Sequence, residues 1–136
     1  MKTDDFDEAP NEEAEEAPEL RTDEYVDFES LKEKVKRFVR DRDWEKYHNP
    51  KDIAIDIAVE AGELLELFQW MKDSDSSKVK DNDVLMERIE GELADVLNYC
   101  MSLANALDID LARIILSKLK QAEKKYPRDK VKGAWK

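Results

Sequence analysis

The chain has 136 residues and a formal net charge of −11. Its length fits a single domain, and no run of about eighteen apolar residues is present, so the sequence predicts no transmembrane helix. The charge is uneven, because residues 1–30 hold 13 acidic residues against only Lys2 and Arg21, whereas the rest of the chain carries 21 charges of each sign. A domain with balanced charge lacks the broad basic surface that duplex nucleic acid requires.

The acidic N-terminal segment differs in composition from the rest of the chain. Residues 1–21 are rich in Glu, Asp, Ala and Pro, and they cannot bury enough apolar surface to offset the entropy of ordering. We therefore predict a disordered acidic tail over 1–21, a folded domain over 22–130 and a short C-terminal tail over 131–136. The tail has no signal-peptide pattern, and Cys100, the only cysteine, cannot form a disulfide within the chain. These features favour a cytoplasmic location.

The first predicted helix begins at Thr22 or Ser30 and ends at Arg42. Ser30-x-x-Glu33 has the pattern of a capping box, or it is part of a helix that begins earlier. The apolar residues of this helix recur at helical spacing, and they are Leu31, Val35, Phe38 and Val39. A charged connector over residues 44–49 follows.

The second predicted helix begins after Asn49, a good N-cap residue, with Pro50 in its first turn. It extends to Trp70 or Met71. Residues 73–83 are polar and alternate in charge, so we predict a mobile loop there.

The third predicted helix runs from Asn82, its N-cap, to about Leu107, and the fourth runs from residues 108–110 to just before Pro127. Four helices, two of them long and amphipathic, predict an all-α four-helix bundle. The apolar stripe of the third helix is wide, with Met86, Leu97 and Ala104 at its edge. Because roughly a hundred foldable residues make only a modest core, we expect a second chain to cover this stripe.

Two pairs of carboxylates stand at matching places on the second and third predicted helices. Glu60 and Glu63 form one pair, and Glu92 and Asp95 form the other. Residues three apart lie on one face of a helix. At about 100° per residue, Glu60 and Glu92 fall inside the apolar stripe of their helices, and Glu63 and Asp95 lie at its rim. The stripes comprise Ile53, Ile57, Ala61, Leu64 and Phe68 on one helix and Leu85, Ile89, Leu93, Val96, Cys100, Leu103 and Leu107 on the other.

Such a pattern needs a source of positive charge. A carboxylate inside a buried stripe costs on the order of several kcal/mol unless something neutralises it, and like charges on one helical face repel. A single Glu-x-x-Glu pair is better explained as part of a solvated charged face with ordinary ion pairs. Because two helices repeat the pattern at the same angular place, we predict a shared Mg²⁺ site, since Mg²⁺ prefers oxygen ligands.

The same carboxylates carry a resemblance to a known family. Glu60-x-x-Glu63 followed by Glu92-x-x-Asp95 resembles the metal site of the MazG-type all-α nucleoside triphosphate pyrophosphohydrolases. The resemblance is closest to the deoxycytidine triphosphate pyrophosphatase branch. The segments that carry it are Arg42-Asp43-Trp44-x-x-Tyr47-His48-x-Pro50, Glu66-Leu67-Phe68-Gln69-Trp70 and Asp95-Val96-Leu97-x-Tyr99.

The resemblance extends over about residues 31–127. Lys118 and Lys125-Tyr126-Pro127 resemble the closing segment of the family. The chain departs from the family pattern at Ala122, where the family usually has an asparagine that helps to hold substrate. The resemblance further implies a homodimer or homotetramer with sites near the subunit contacts.

Four carboxylates on facing helices suit the hydrolysis of a triphosphate at its α-phosphate. They can hold Mg²⁺ against the phosphate oxygens, and one of them can take a proton from the attacking water. The candidate catalytic and metal-binding residues are therefore Glu60, Glu63, Glu92 and Asp95, and Glu66 is a further candidate base. We expect a monophosphate and pyrophosphate as products, with deoxynucleotides, dCTP among them, as the favoured substrates.

Other residues are candidates for substrate binding. Lys118 and Lys125 can contact the pyrophosphate end, although positive charge also stabilises a helix C-terminus by itself. Trp44 and Trp70 can stack on the base, although Trp70 taken alone is better explained as a core residue. The resemblance adds His48, Tyr99 and Tyr126 to this set.

Two other functions fit parts of the sequence. One is the related phosphoribosyl-ATP pyrophosphohydrolase, which the tryptophan-containing segment resembles less well. The other is a non-catalytic helical interaction module, in which the glutamate pairs are solvated and the acidic tail binds a basic partner. The enzymatic hypotheses and the interaction module differ in whether the carboxylate pairs bind a metal ion.

Overall fold

The computed structural model describes residues 21–134, which form helices and turns with no strand among them. The helices are α1 (Phe28–Arg40), α2 (Pro50–Glu66), α3 (Asp73–Ser76), α4 (Asp83–Ala106), α5 (Leu111–Lys125) and α6 (Arg128–Val131). Short 3₁₀ turns occupy Glu45–Tyr47 and Ser77–Asp81. This architecture confirms the predicted all-α class with four principal helices. The tail predicted over residues 1–21 lies almost wholly outside the described residues, as do the last two residues of the predicted C-terminal tail.

Helix α1 begins at Phe28 because Asp27 caps it. The Asp27 carboxylate accepts a hydrogen bond from the backbone N–H of Ser30 at 2.8 Å, and this bond lowers the pKa of Asp27. The helix therefore begins between the two predicted starts, two residues before Ser30. The helix also ends two residues before Arg42, since the chain turns at Asp43, whose φ of 52° is a left-handed conformation that aspartate tolerates.

Helix α2 starts as predicted and ends early. The Asn49 side chain accepts a hydrogen bond from the Asp52 N–H at 3.0 Å, and Pro50 is the first helical residue. The helix ends at Glu66 instead of residue 70 or 71. Beyond Glu66 several backbone N–H groups bond to carbonyls three residues back, and this tighter pattern ends the α-helix.

The segment between α2 and α4 has more regular structure than a loop. Helix α3 and a 3₁₀ turn occupy most of residues 73–81. The Ser76 hydroxyl donates to the Asp73 carbonyl at 2.8 Å, and Lys78 pairs with Asp75 at 3.4 Å. Local bonds between near neighbours therefore replace the irregular loop that the polar composition predicted.

Helix α4 is central, because it packs along α2 and, over a shorter stretch, along α1. Its N-cap is Asn82, as predicted, whose side chain accepts from the Leu85 N–H at 3.0 Å. The fully buried apolar side chains of the described chain are Ile53, Met101 and Ala104. No helix in this part of the chain is long and apolar enough to cross a membrane.

Polar bonds tie the end of α4 to α1. The Asn105 amide donates to the Lys32 carbonyl at 2.9 Å, and the Lys32 ammonium donates to the Ile109 carbonyl at 3.1 Å. Ala104, which we predicted at the edge of the stripe, is only 2% exposed. No second chain is needed to bury it, because this end of α4 is held against α1 within the same chain.

Much apolar surface remains uncovered in the described chain. On α4, Leu93 and Leu97 are nearly half exposed. On α2, Ala61 is exposed although we predicted it within the buried stripe. The reason is that α4 covers only part of the α2 stripe. Ile53 is buried there, whereas Ala61 is not. The prediction of a covering second chain stays a prediction.

Helix α5 is the least embedded of the long helices. The Asp110 carboxylate caps it by accepting from the Arg113 N–H at 2.9 Å. It makes at most marginal contact with the other described helices. The exposed apolar residues of this helix are Ile114, Ile115, Leu116 and Leu119. In the described chain α5 therefore presents an amphipathic surface with little to cover it.

Candidate active site

Three of the four predicted carboxylates meet between α2 and α4. Glu60, Glu63 and Glu92 each offer an oxygen, and these oxygens lie within 4.8 Å of one another. We call these residues the carboxylate cluster. Asp95 lies outside this group but is near enough for its charge to act on Glu60 and Glu92. The pairing of two helices therefore assembles side chains that are about thirty residues apart.

The burial of these carboxylates follows the predicted helical positions. Glu60 and Glu92 are half-buried, and Glu63 and Asp95 are exposed, as the stripe and rim positions predicted. One carboxylate oxygen of Glu60 and one of Glu92 are buried without a hydrogen-bond partner in the described chain. A buried polar atom without a partner costs roughly 1–3 kcal/mol, and more when it is charged. Both inner carboxylates therefore lack the group that would satisfy them.

The electrostatics of the cluster disfavour ionisation. Burial raises the pKa of Glu60 above its ordinary value of 4.5, and a hydrogen bond with Glu63 and the negative charges of Glu63, Asp95 and Glu92 raise it further. Burial likewise raises the pKa of Glu92, and Glu63 and Asp95 add to this effect, while the positive charge of Arg88 opposes it. A cation placed among these oxygens would reverse the shifts, because it favours the ionised form.

The raised pKa of Glu60 predicts how stability depends on pH when no metal ion is present. The unfolded chain releases this proton near pH 4.5 and the folded chain only at higher pH, so the free energy of unfolding falls as pH rises between the two values. We expect Glu60→Gln to be more stable than the wild type at pH 7 in EDTA, with a difference that shrinks towards pH 4.5. Urea unfolding of both proteins across this range measures the difference.

The matched control for this prediction is Glu90→Gln, an acid-to-amide change at an exposed position of α4 outside the cluster. It should leave the pH dependence unchanged. A Glu60→Gln protein whose stability falls with pH as steeply as that of the wild type would show that the Glu60 carboxyl is not held in its neutral form.

A cavity of about 490 Å³ adjoins the carboxylate cluster. It lies between α1, the connector and α4, and its wall includes Phe38, Trp44, His48, Asp95, Asn98 and Tyr99. Asp95 thus belongs to the wall of the cavity and is also close to the cluster. Three aromatic rings provide flat apolar surfaces of the kind on which a nucleobase stacks.

The turn after α1 places Trp44 in this wall. The left-handed Asp43 reverses the chain, and the Trp44 N–H donates back to the Val39 carbonyl at 3.0 Å. The indole then meets the Phe38 ring edge-on, with centroids 5.8 Å apart. Arg42 lies over the Phe38 ring at 3.7 Å and donates to the Phe38 carbonyl at 3.0 Å. These contacts fix the orientation of Trp44, which is 43% exposed.

Tyr99 and His48 complete the polar part of the cavity. Burial raises the pKa of the Tyr99 hydroxyl, and the negative charges of Asp56, Glu60 and Asp95 raise it further, so this hydroxyl remains a hydrogen-bond donor. The Nδ1 atom of His48 lies 2.8 Å from the Trp44 carbonyl oxygen. Both residues line this cavity, and their role in nucleotide binding stays a prediction.

The remaining predicted substrate residues do not reach this cavity within one chain. Trp70 follows the end of α2 and is 90% exposed, because that helix stops at Glu66. Lys118 and Lys125 lie on α5, which makes at most marginal contact with the other helices. Lys125 lies 5.2 Å from the ring of Tyr126, so these two residues contact each other. Their assignment to the substrate site stays a prediction.

Sequence reasoning missed several residues near the site. Phe38 was assigned to the core face of α1, yet its ring is 49% exposed and lines the cavity. Asn98 and Lys34 also line it, and Asp56 acts on Tyr99. Only Asp56 had a visible signal, because it lies one helical turn before Glu60 on the same face.

Known proteins with similar sequences or structures come from one group. The sequence model of the MazG-like family matches residues 55–136. Rat dCTP pyrophosphatase 1 is 33% identical over 100 residues, which are 74% of this chain and 59% of the relative, and the human protein of that name matches to the same extent. The chain therefore spans about three fifths of the length of these curated relatives. A pyrophosphatase from Archaeoglobus fulgidus has a similar structure, with a TM-score of 0.67 and 36% identity, covering 73% of this chain and 91% of that one.

Proposed function

Because the chain belongs to the MazG-like family, we propose that it is a Mg²⁺-dependent nucleoside triphosphate pyrophosphohydrolase. It cleaves a deoxynucleoside triphosphate, with dCTP as the first candidate, to the monophosphate and pyrophosphate. The relatives named dCTP pyrophosphatase 1 support the substrate, and the pyrophosphatase from Archaeoglobus fulgidus supports the reaction. The observation that carries the proposal is the pair of buried, partnerless carboxylate oxygens beside an aromatic cavity.

The donor set of the cluster fits a hard divalent cation. Carboxylate oxygens are the ligands that Mg²⁺ prefers, and the unsatisfied oxygens of Glu60 and Glu92 lie beside the exposed Glu63. Glu60, Glu63 and Glu92 would hold the ion, with Asp95 as the fourth candidate ligand. When bound, Mg²⁺ would neutralise the negative charge that builds up on the triphosphate oxygens.

The protein's own residues account for the other requirements of hydrolysis. Glu63 is exposed, so solvent reaches its carboxylate, which can take the proton of the attacking water, and Glu66 is the alternative base. The Tyr99 hydroxyl, kept protonated, donates a hydrogen bond to a substrate oxygen. Trp44 and Phe38 bind the base in the cavity, with Asp95 at the side that faces the cluster. In this proposal the triphosphate lies between the base pocket and the carboxylates.

The cations for the pyrophosphate end are supplied by a second copy of the chain. Within one chain Lys118 and Lys125 lie on the loosely attached α5, whose apolar residues Ile115 and Leu119 are 43% and 57% exposed. Covering this surface with a second copy buries apolar area and brings α5 against another subunit. We therefore propose a homodimer or homotetramer in which the lysines of α5 and the exposed Trp70 complete a neighbouring site.

This proposal predicts the effect of a charge on the apolar side of α5. We expect Leu119→Glu to dissociate the oligomer and to lower pyrophosphate release more than tenfold, because a carboxylate in an apolar contact is costly. Ser117→Glu is the control. Ser117 lies two residues before Leu119, so its side chain points about 160° away from that of Leu119 around the helix. Analytical ultracentrifugation gives the state of assembly, and an oligomeric Leu119→Glu protein would show that α5 does not form the interface.

The alternative of a non-catalytic acidic module required the glutamate pairs to be solvated. One oxygen of Glu60 and one of Glu92 are buried and partnerless, which speaks against that interpretation. No feature of the described site favours phosphoribosyl-ATP over a deoxynucleoside triphosphate. Thermal melting with and without Mg²⁺ tests the metal site. At a free Mg²⁺ concentration 100 times the dissociation constant, binding stabilises the fold by about 2.7 kcal/mol. An unchanged melting temperature up to saturating Mg²⁺ would contradict a site in the cluster, and pyrophosphate release tests the reaction itself.

A further inference from the structure

The balanced charge of the domain conceals a basic region at its C-terminal end. Residues 111–132 hold eight basic residues and two acidic ones, which gives a net charge of +6, whereas residues 31–110 are acidic overall. Helix α5 carries five of these cations, and all five are exposed. We call them the basic arc, and they are Arg113, Lys118, Lys120, Lys124 and Lys125.

These cations share one side of α5. At about 100° per residue they fall within about 160° of the helix circumference, and no carboxylate lies in that range. Glu123, the only acidic residue of the helix, lies on the apolar side with Leu119. Among the described residues, none of the five has a carboxylate within ion-pair distance. A second copy that covered the apolar side would therefore leave the basic arc facing solvent.

The acidic N-terminal segment has the complementary charge. Residues 1–20 hold nine acidic residues against Lys2 alone, which gives a net charge of −8. Opposite charges attract over about 10 Å at 0.1 M salt, and this attraction requires no fixed conformation of the segment. The basic arc therefore has a polyanion of matching charge within its own chain.

The segment is attached beside the start of α5. A cavity of about 650 Å³ lies between residues 23–32 and residues 110–112, at the first turn of α5. The Lys32 ammonium donates to the Ile109 carbonyl at 3.1 Å, which holds the two parts of the chain together. Residues 1–20 are thus joined to the fold at the end of α5 from which the basic arc begins.

The segment is also long enough to follow the whole helix. Helix α5 has 15 residues and is about 22 Å long at 1.5 Å per residue, whereas twenty residues can span up to about 66 Å. A tethered segment acts at an effective concentration on the order of millimolar. Tethering therefore compensates for the weakness of each exposed ion pair.

We propose that the acidic segment 1–20 binds along the basic arc of α5 in the same chain and covers it against other polyanions, nucleic acid among them. The contacts fall mainly on Arg113, Lys120 and Lys124, which lie within about 40° of one another around the helix. Lys118 and Lys125 lie at the other edge of the arc, next to the apolar side. The inference is therefore independent of the role that the proposed function gives to those two lysines.

A carbodiimide, which joins a carboxylate to a lysine amine in direct contact, tests the inference on the full chain. At low ionic strength we expect cross-links from the acidic residues of 1–20 to Lys120 or Lys124, identified by mass spectrometry. Lys78 lies 3.4 Å from Asp75, so the cross-link between these two is the positive control. In 1 M salt, where the Debye length falls to about 3 Å, the cross-links to α5 should be lost. A mixture of ¹⁵N-labelled and unlabelled protein shows whether they join residues of one chain.

A second measurement uses a single-stranded oligodeoxynucleotide as the polyanion probe, with fluorescence anisotropy as the readout. A full-length variant whose nine acidic residues in 1–20 are replaced by amides should bind the probe at least about tenfold more tightly than the wild type. Three lysine or arginine contacts to phosphates correspond to a slope of log affinity against log salt of about −2.

Two pairs of substitutions in this neutralised variant separate the basic arc from overall charge. Lys120→Glu with Lys124→Glu should abolish binding of the probe, whereas Lys78→Glu with Lys80→Glu should not. Both pairs change the net charge equally, and all four lysines are exposed. Circular dichroism verifies that each variant is folded.

Several results would overturn the inference. They are cross-links from the segment only to lysines outside α5, cross-links only between two chains, and no cross-link to the segment in a sample that contains the Lys78–Asp75 product. Equal affinity of the wild type and the neutralised variant for the probe would also overturn it, because the segment would then not cover the basic arc. Equal effects of the two pairs of lysine substitutions would overturn it too, since overall charge would then bind the probe.

Discussion

Replacing Glu63 by glutamine is expected to abolish pyrophosphate release while the protein remains folded. Glu63 is the exposed member of the carboxylate cluster, and its charge acts on both inner carboxylates. Loss of a group that merely supports a metal ligand costs about 10- to 100-fold, so loss of a ligand or of the base should exceed that. Initial rates at saturating Mg²⁺ and dCTP measure the effect.

The same substitution should leave the metal-free protein as stable as the wild type or slightly more stable. It removes a like charge beside Glu60 and Glu92, and on a helix surface such a removal is worth a few tenths of a kcal/mol, roughly. Mg²⁺ should then raise the melting temperature less than in the wild type. Asp95→Asn tests the fourth carboxylate in the same way. Glu90→Gln, outside the cluster, should keep both activity and the Mg²⁺ response.

Wild-type turnover by Glu63→Gln at saturating Mg²⁺ would remove Glu63 from the site. Loss of activity together with loss of the folded state would instead mean that the residue is structural. Circular dichroism of the variant in EDTA distinguishes these two results before any rate is interpreted.

Replacing Trp44 by alanine is expected to weaken substrate binding about ten- to hundredfold, because stacking a base on an aromatic ring is worth roughly 1–3 kcal/mol. The Mg²⁺ affinity should hardly change, since the indole offers no ligand to the metal ion. The contacts of Trp44 with Phe38 and its position in the cavity wall carry this prediction. The values of KM for dCTP and of the Mg²⁺ dissociation constant measure the two effects separately.

Two further variants make this result specific to stacking. Trp44→Phe keeps an aromatic plane and should recover much of the affinity. Tyr47→Ala removes an aromatic residue of the same connector that is 63% exposed and does not line the cavity, so it should have little effect. If Trp44→Ala leaves KM unchanged, the base binds elsewhere and the cavity is not the base pocket, even if the carboxylate cluster is the metal site.

The carboxylate cluster was predictable because it depends on helical periodicity alone. Once Glu60 and Glu92 lie inside the apolar stripes of two helices that pack together, their side chains must approach each other. Burial of these two and exposure of Glu63 follow from the angles between residues on a helix. The caps at Asn49 and Asn82 were predictable for a similar reason, since each side chain bonds only three residues ahead.

Features that depend on longer-range geometry were not predictable. The position of Trp70 is determined by where the α-helical bonding of α2 gives way to tighter turns, and no residue type near Glu66 marks that point. The contact between His48 Nδ1 and the Trp44 carbonyl oxygen depends on a turn that begins with the left-handed Asp43. Ala104 is buried because Asn105 bonds to α1, a contact between residues 73 positions apart. The lysines of α5 cannot be placed from one chain, since the surface around them is uncovered.

The most direct test of the proposed function is to identify the products formed from dCTP and Mg²⁺. We expect dCMP and pyrophosphate in equal amounts, with no reaction in EDTA and none with Glu63→Gln. Anion-exchange chromatography separates these products from dCDP and inorganic phosphate. Formation of dCDP and phosphate, or no hydrolysis of any deoxynucleoside or ribonucleoside triphosphate by the folded protein at saturating Mg²⁺, would contradict the assignment of the site as a nucleoside triphosphate pyrophosphohydrolase.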